Sequence, residues 1–192
     1  MDADAKKTAL RMIPYGIYVL TAEDADGSIA AATVNWVTQT SFNPPLIVVG
    51  IKTDSGAYAL VKKTKTFALN MLGKGQQGPA FTFFKPAEKT DGKISGEAYH
   101  KGTNGAPILD SAHASVECKV VQMLELGSHT QFIGEILNIK VDDTLLDINR
   151  PAMIEQIIPL IYDTNSSCYY SLGEKVLKAH SVSKEFLSKP GQ

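Results

Sequence analysis

The sequence predicts a mainly β fold: a barrel of mostly antiparallel strands with short helices packed outside. Three observations carry this. Six or more segments are dense in β-branched and aromatic residues, the residues that fit a pleated surface. Helical periodicity is confined to short stretches closed by Pro or Lys-rich turns. The strands follow one another without the long helical crossovers that a parallel sheet needs.

In chain order, Asp2 to Met12 reads as a short amphipathic helix with Ala5, Ala9 and Met12 on one face, stopped by Pro14. Ile17 to Thr21 is a strand, and Asp26-Gly27 supplies the positive φ of a hairpin turn. A second strand is expected from Ser28 into Val37, with small Ala30, Ala31 and Ala32 that let a bulky group approach its backbone. Pro44-Pro45 punctuates, and the apolar run Leu46 to Ile51 predicts a strand buried on both faces. A helix capped by Asp54 or Ser55 follows, with Leu60 and Val61 inward and Lys62, Lys63 and Lys65 against its dipole. Phe67 to Leu72 returns as a strand, Pro79 to Phe84 makes one or two helical turns, and Ala87 to Gly105 is a surface excursion. Ala114 to Leu124 and Thr130 to Val141 form a hairpin about Gly127-Ser128. Gln156 to Tyr162 is a further strand, and Tyr169 to Gly173 is expected to close the core. Residues 1–192 are thus expected to form a single domain with core 10–173 and a Lys-bearing tail 174–192.

Composition narrows the function. The 192 residues carry 19 Lys and Arg against 20 Asp and Glu, so no cationic excess is available to neutralise nucleic-acid phosphates. Cys118 and Cys168 form no C-x-x-C pair and no secreted disulfide framework. Met1 to Lys7 lacks a signal peptide's basic and then apolar opening, and no apolar run approaches membrane-spanning length. No membrane and no nucleic-acid partner, and a cytoplasmic location, are the expectation.

Among motifs, Gly73-Lys74-Gly75-Gln76-Gln77-Gly78 fits G-x-G-x-x-G. The helix after it is stopped by Pro86, too short for a dinucleotide-binding βαβ unit, so a flexible turn is the better reading. Thr33 to Ser41 crowds hydroxyls, amides and the sole Trp36 at a strand end. That end can present hydrogen-bonding groups to a flat polar ligand, or be a Thr-rich exposed face; the residues alone divide evenly between the two. Lys52, Thr53 and Ser55 combine a cation and hydroxyls with a helix N-terminus, an anion site or an ordinary cap beside a solvated lysine. His129 in a turn can orient a ligand or simply be solvated. His100, His113 and His180 have no partners at ligand spacing, which predicts no metal. Cys118 is expected as a buried small hydrophobe and Cys168 as an exposed thiol. No nucleophile, base and orienter can be assembled.

Read together, the motifs resemble the flavin reductase-like, FMN-binding split-barrel family. They are Y-G-x-Y-V-L-T (Tyr15 to Thr21), D-x-D-G (Asp24 to Gly27) and T-V-N-W-V-T-Q-T-S-F-N-P-P-L (Thr33 to Leu46). F-A-L-N-M-L (Phe67 to Leu72), G-A-P-I-L-D (Gly105 to Asp110) and E-C-K-V (Glu117 to Val120) follow. G-S-H-T-Q-F-I-G-E-I (Gly127 to Ile136) and P-L-I-Y…Y-Y-S-L-G (Pro159 to Gly173) complete the set. The N-W-V-T-Q strand looks most like the flavin reductase modules of diflavin proteins and high-molecular-weight rubredoxins. The chain departs from these in lacking rubredoxin cysteines, and from the Gly-Asp-His form of the turn in having Ser128 before His129.

The resemblance implies a homodimer holding FMN near the subunit interface, with FAD or riboflavin left open. By matching positions, Thr33, Val34, Asn35, Trp36, Thr38, Gln39 and Ser41 would lie along the ring and ribityl chain. Lys52, Thr53 and Ser55 would hold the phosphate, helped by Lys85, and His129 would position the nicotinamide. The implied activity is an NAD(P)H:flavin oxidoreductase whose chemistry belongs to the two cofactors, which accounts for the missing acid–base machinery. An FMN electron carrier that never meets NAD(P)H, and a non-redox flavin binder, are the alternatives. NADH or NADPH, and the acceptor, a redox protein among the candidates, stay open.

Overall fold

The computed structural model describes residues 1–145, 154–164 and 166–174. Helix α1 (Ala3–Arg11) is capped by Asp2, whose carboxylate accepts from the amides of Asp4 at 2.8 Å and Ala5 at 3.1 Å. Strands β1 (Tyr15–Gly16) and β2 (Tyr18–Glu23) follow, and the Asp-Gly turn leads into β3 (Ile29–Val34), with Gly27 at φ 80° as such a turn requires. The strand expected to run from Ser28 into Val37 breaks at Asn35 and Trp36, and a separate strand, β4 (Val37–Phe42), begins beyond them. Next come β5 (Pro45–Lys52), α2 (Gly56–Thr64), β6 (Thr66–Met71) and the six-residue α3 (Gln77–Thr82).

The excursion holds two small ladders, β7 (Lys89–Thr90) with β8 (Lys93–Ile94) and β9 (Tyr99–Lys101) with β10 (Pro107–Leu109). It is not all surface: Ile94 is fully buried and helps close a second apolar cluster with Val19, Leu72, Phe83 and Leu109. The long hairpin β11 (Ala114–Leu126) and β12 (His129–Val141) turns at Gly127-Ser128 as expected. Gln156 is helical, in α4 (Ile154–Ile157), so the strand expected there starts only at β13 (Leu160–Asp163). The last strand, β14 (Cys168–Ser171), lies mostly exposed in a small sheet with β13 and β1 and so does not close the core. The expected tail beyond Glu174, with His180, and Arg150 lie outside the described residues.

Seven strands hydrogen-bond in the order β3-β2-β6-β11-β12-β5-β4, every pair antiparallel. The two edge strands of this sheet, β3 and β4, are consecutive in sequence and separated only by Asn35 and Trp36. Three Cα–Cα steps span at most about 11 Å. The sheet must therefore curl until its edges stand side by side. Gly50 N–H donates to the Trp36 carbonyl at 2.9 Å and draws the link onto β5. The hydrogen-bonded ladder itself does not close, in keeping with a split barrel.

Inside lie Leu20, Val49, Val61, Phe67, Leu69, Cys118 and Phe132. Gly134 on β12 is required here, because a Cβ would come within 2.8 Å of the Phe67 ring. The G-x-G-x-x-G segment makes no dinucleotide turn: Gln76 Oε1 accepts from Gly73 N–H at 2.7 Å, and α3 has no side-chain cap. Burial pushes the Cys118 thiol up to about 12, an inert hydrophobe as expected, and Cys168 is exposed. Among the described residues no helix is long and apolar enough to cross a membrane.

Candidate functional site

The site forms where the β3–β4 link meets the β11–β12 turn. In β5, Ile47, Val49 and Ile51 face the core at 7%, 0% and 2% exposure, while Val48 and Gly50 face outward and are half-covered. The strand therefore alternates rather than being buried on both faces. Its outward face is the floor of an open pocket of about 700 Å3. Asn35, Trp36, Val37 and Thr38 form one side, Ser128, His129 and Gln131 the other, and Ile13 to Tyr15 the rim. Gly50 lacks the side chain that would crowd Trp36, since its Cβ would stand 3.3 Å from the indole. The Trp36 and His129 rings lie 4.3 Å apart between centroids, tilted by 49°.

Register places His129 opposite Lys52. The turn is pinned there because the Thr53 amide and hydroxyl both donate to the Ser128 carbonyl, at 3.1 and 3.2 Å. Ser55 caps α2, its hydroxyl accepting from Tyr58 N–H at 3.1 Å and donating to the Lys52 carbonyl at 2.7 Å. Lys52 Nζ sits 3.0 Å from Asp54 Oδ2, an exposed pair that solvent screens. His129 Nδ1 stands 3.0 Å from the Ser128 hydroxyl. Burial first, then the Lys52 charge, hold the His129 pKa below its ordinary value, against the opposing pull of Asp54. The imidazole is therefore neutral at pH 7 and able to orient a ligand without adding charge.

Of the residues singled out in the sequence, the fold brings Asn35, Trp36, Thr38 and His129 into the lining of one pocket. Lys52, Thr53 and Ser55 form an adjoining cluster joined to that wall through Ser128. The others are placed differently. The Thr33 hydroxyl donates to the Ala80 carbonyl at 2.6 Å and so anchors α3. Val34 turns its side chain into the core, leaving only its backbone for a ligand. Gln39 Nε2 donates to the Ser41 carbonyl at 3.2 Å, and neither residue lines the pocket. Lys85 lines a separate concavity with Phe81, Thr82 and Glu88. Sequence reasoning did not single out Tyr15, Gly50 or Gln131 for the site. A glycine inside an apolar β run was the available signal for Gly50. Among the described residues no group of three or more His, Cys, Asp or Glu is placed to hold a metal ion.

The fold and the site define an open antiparallel barrel with a mostly apolar pocket at a strand break. The chain belongs to the flavin reductase like domain family, whose model matches residues 10–171. It is 29% identical over 142 residues to a flavin reductase of Pseudomonas putida, covering 74% of this chain and 82% of that protein. It is 30% identical over 142 residues to diflavin flavoprotein A 1 of a Synechocystis strain, covering 73% of this chain and 24% of that protein. The chain thus spans most of the first relative and about a quarter of the second. The structure of flavin reductase PheA2 in its native state superimposes with a TM-score of 0.70 at 25% identity, covering 91% of this chain and all of that one.

Proposed function

We propose that the chain is an NAD(P)H:flavin oxidoreductase that holds FMN in the 700 Å3 pocket, acts as a homodimer and passes electrons to a downstream acceptor. The observation that carries this is the contact of the Trp36 ring with a neutral His129 in the lining of an open pocket floored by Val48 and Gly50.

The residues present fit such a ligand. The pocket volume lies within the range of small-molecule sites, roughly 300–1,000 Å3. Its wall is mostly apolar, with the Asn35 amide and the Thr38 hydroxyl as polar points. Lys52 and the N-terminus of α2 offer positive potential beside it for the phosphate. When bound, the flavin supplies hydride acceptance from the nicotinamide and onward electron transfer. The chain's own part is positional: Trp36 presents an apolar ring face, Gly50 keeps that face accessible, and His129 orients the nicotinamide without adding a charge. Exposed Phe42, Leu126, Leu137 and Ile139, at 90%, 69%, 53% and 58%, are apolar surface that a second copy would cover.

The test is the visible spectrum of the protein as purified, followed by NADH and NADPH oxidation with added FMN. Oxidation with either nucleotide supports the reductase. Retained FMN without oxidation leaves an electron carrier or a non-redox binder. A protein that fails to hold any flavin overturns all three readings. Sedimentation at micromolar concentration tests the dimer.

A further inference from the structure

His129 is held from three directions. The residue before it is fixed at its backbone, because the Thr53 amide and hydroxyl both donate to the Ser128 carbonyl. The imidazole packs against the Trp36 ring, 4.3 Å away between centroids. Its Nδ1 stands 3.0 Å from the Ser128 hydroxyl, which among the described residues is the one hydrogen bond that hydroxyl makes. Nε2 has no protein partner among the described residues, and Ser128 and His129 both line the 700 Å3 pocket. With Nδ1 engaged, Nε2 is the ring nitrogen left for a ligand.

We propose that Ser128 is a positioning residue whose hydroxyl donates to His129 Nδ1, so that Nε2 carries the ring proton and donates to a carbonyl oxygen of the ligand. The proposal rests on the nicotinamide reading of the pocket given above. A neutral imidazole has one proton for two nitrogens, and the bond made at one nitrogen decides which of them carries it. Given to Nδ1, the hydroxyl proton is used within the protein. Were Nδ1 protonated instead, the hydroxyl could only accept, and its own proton would meet no protein acceptor among the described residues. A protonated Nε2 is matched to an acceptor, and a nicotinamide carboxamide presents one in its carbonyl. A bare Nε2 would select an N–H donor instead. The serine thus sets which edge of the ligand His129 can hold, although its own hydroxyl is spent on the imidazole.

The experiment is a long-range proton–nitrogen NMR correlation on the full chain with nitrogen-15-labelled histidine, at about pH 9, well above the ordinary histidine value of about 6.5. His129→Gln identifies the His129 signals among the four histidines. Wild type is expected to show a bare Nδ1 and a protonated Nε2, and Ser128→Thr, which keeps the hydroxyl, should show the same. Ser128→Asp places a carboxylate there that can only accept, so the proton should move to Nδ1. Ser128→Ala should mix the two tautomers and raise the KM for the nicotinamide nucleotide about two- to tenfold, the worth of one neutral hydrogen bond, with kcat within about twofold. Ser128→Thr should return that KM to within about twofold of wild type. A protonated Nδ1 in wild type, or a Ser128→Ala protein with wild-type tautomer and KM, overturns the proposal. So does a raised KM with an unchanged tautomer that Ser128→Thr fails to restore, the mark of a merely structural role. Wild-type protein that oxidises neither NADH nor NADPH overturns the functional reading, while the NMR pattern still decides the bond between Ser128 and His129.

Discussion

Gly50 is the position where a small change should separate stability from function. A Cβ there would meet Trp36 Cε3 at 3.3 Å and Trp36 Cβ at 3.4 Å. Alanine therefore asks the indole to move by a few tenths of an ångström, and at 46% exposure it can. Replacing a strand glycine by alanine also recovers roughly 0.5–1 kcal/mol of backbone entropy. Gly50→Ala is thus expected to stay within about 1 kcal/mol of wild type. Valine is different, because each γ-methyl extends about 1.5 Å further toward the ring. Overpacking of this kind costs about 1–3 kcal/mol, and the lower half applies where a half-exposed ring can swing outward. That swing undoes the Trp36–His129 contact, worth about 0.5–1.5 kcal/mol, and removes the ring face from the pocket. Flavin affinity should fall about tenfold, close to 1.4 kcal/mol. Trp36 is the sole tryptophan, so its emission reports this wall directly and its quenching follows the flavin titration. A Gly50→Val protein with wild-type emission and a flavin Kd within about twofold would refute the reasoning.

Three further outcomes follow from the same geometry. The His129 midpoint, read by NMR, should lie below the ordinary value of about 6.5, rise in Lys52→Ala and fall in Asp54→Ala. Because the folded state binds this proton less readily, His129 costs no stability above about pH 6.5 and costs progressively more as pH falls toward its folded pKa. Lys52→Ala/Ser55→Ala should weaken FMN about tenfold while leaving riboflavin, which lacks the phosphate, unchanged, with about 1 kcal/mol of stability lost from the cap; equal effects on both ligands would place the phosphate elsewhere. Glu117 is 4% exposed and accepts from Thr103 Oγ1, Asn104 N and Asn138 Nδ2 at 2.9, 2.8 and 2.8 Å. Burial raises its pKa, but these bonds outweigh it and the net value is lowered, so its stabilisation is present above about pH 4.3 and lost as pH falls through the folded value. Glu117→Ala should cost about 2–3 kcal/mol in denaturant unfolding at pH 7, and a loss under about 0.5 would show that the donors find water instead.

Much of the fold was legible because its signals are local. The Asp-Gly turn, the Ser55 cap and the β11–β12 hairpin each depend on a few adjacent residues, and each formed as expected. The misreadings share a cause. The strand through Asn35 and Trp36 was expected to continue because its residues suit a strand, but barrel curvature breaks it there. The run Leu46 to Ile51 is uniformly apolar, yet only alternate residues reach the core, since the other face floors a pocket. Gln156 and Ile157 carry β-rich content and sit in a helical turn.

By itself the sequence determined a succession of mostly antiparallel strands, the helix cap beside Lys52 and the residue types that a flavin site needs. Only the tertiary structure decided which of them meet. Trp36 and His129 come from opposite halves of the chain and touch because the β5–β12 register sets Lys52 beside His129, while Gly50 admits the indole. Local propensity acts over a few residues, whereas a site is assembled by sheet order and register, which link positions far apart along the chain.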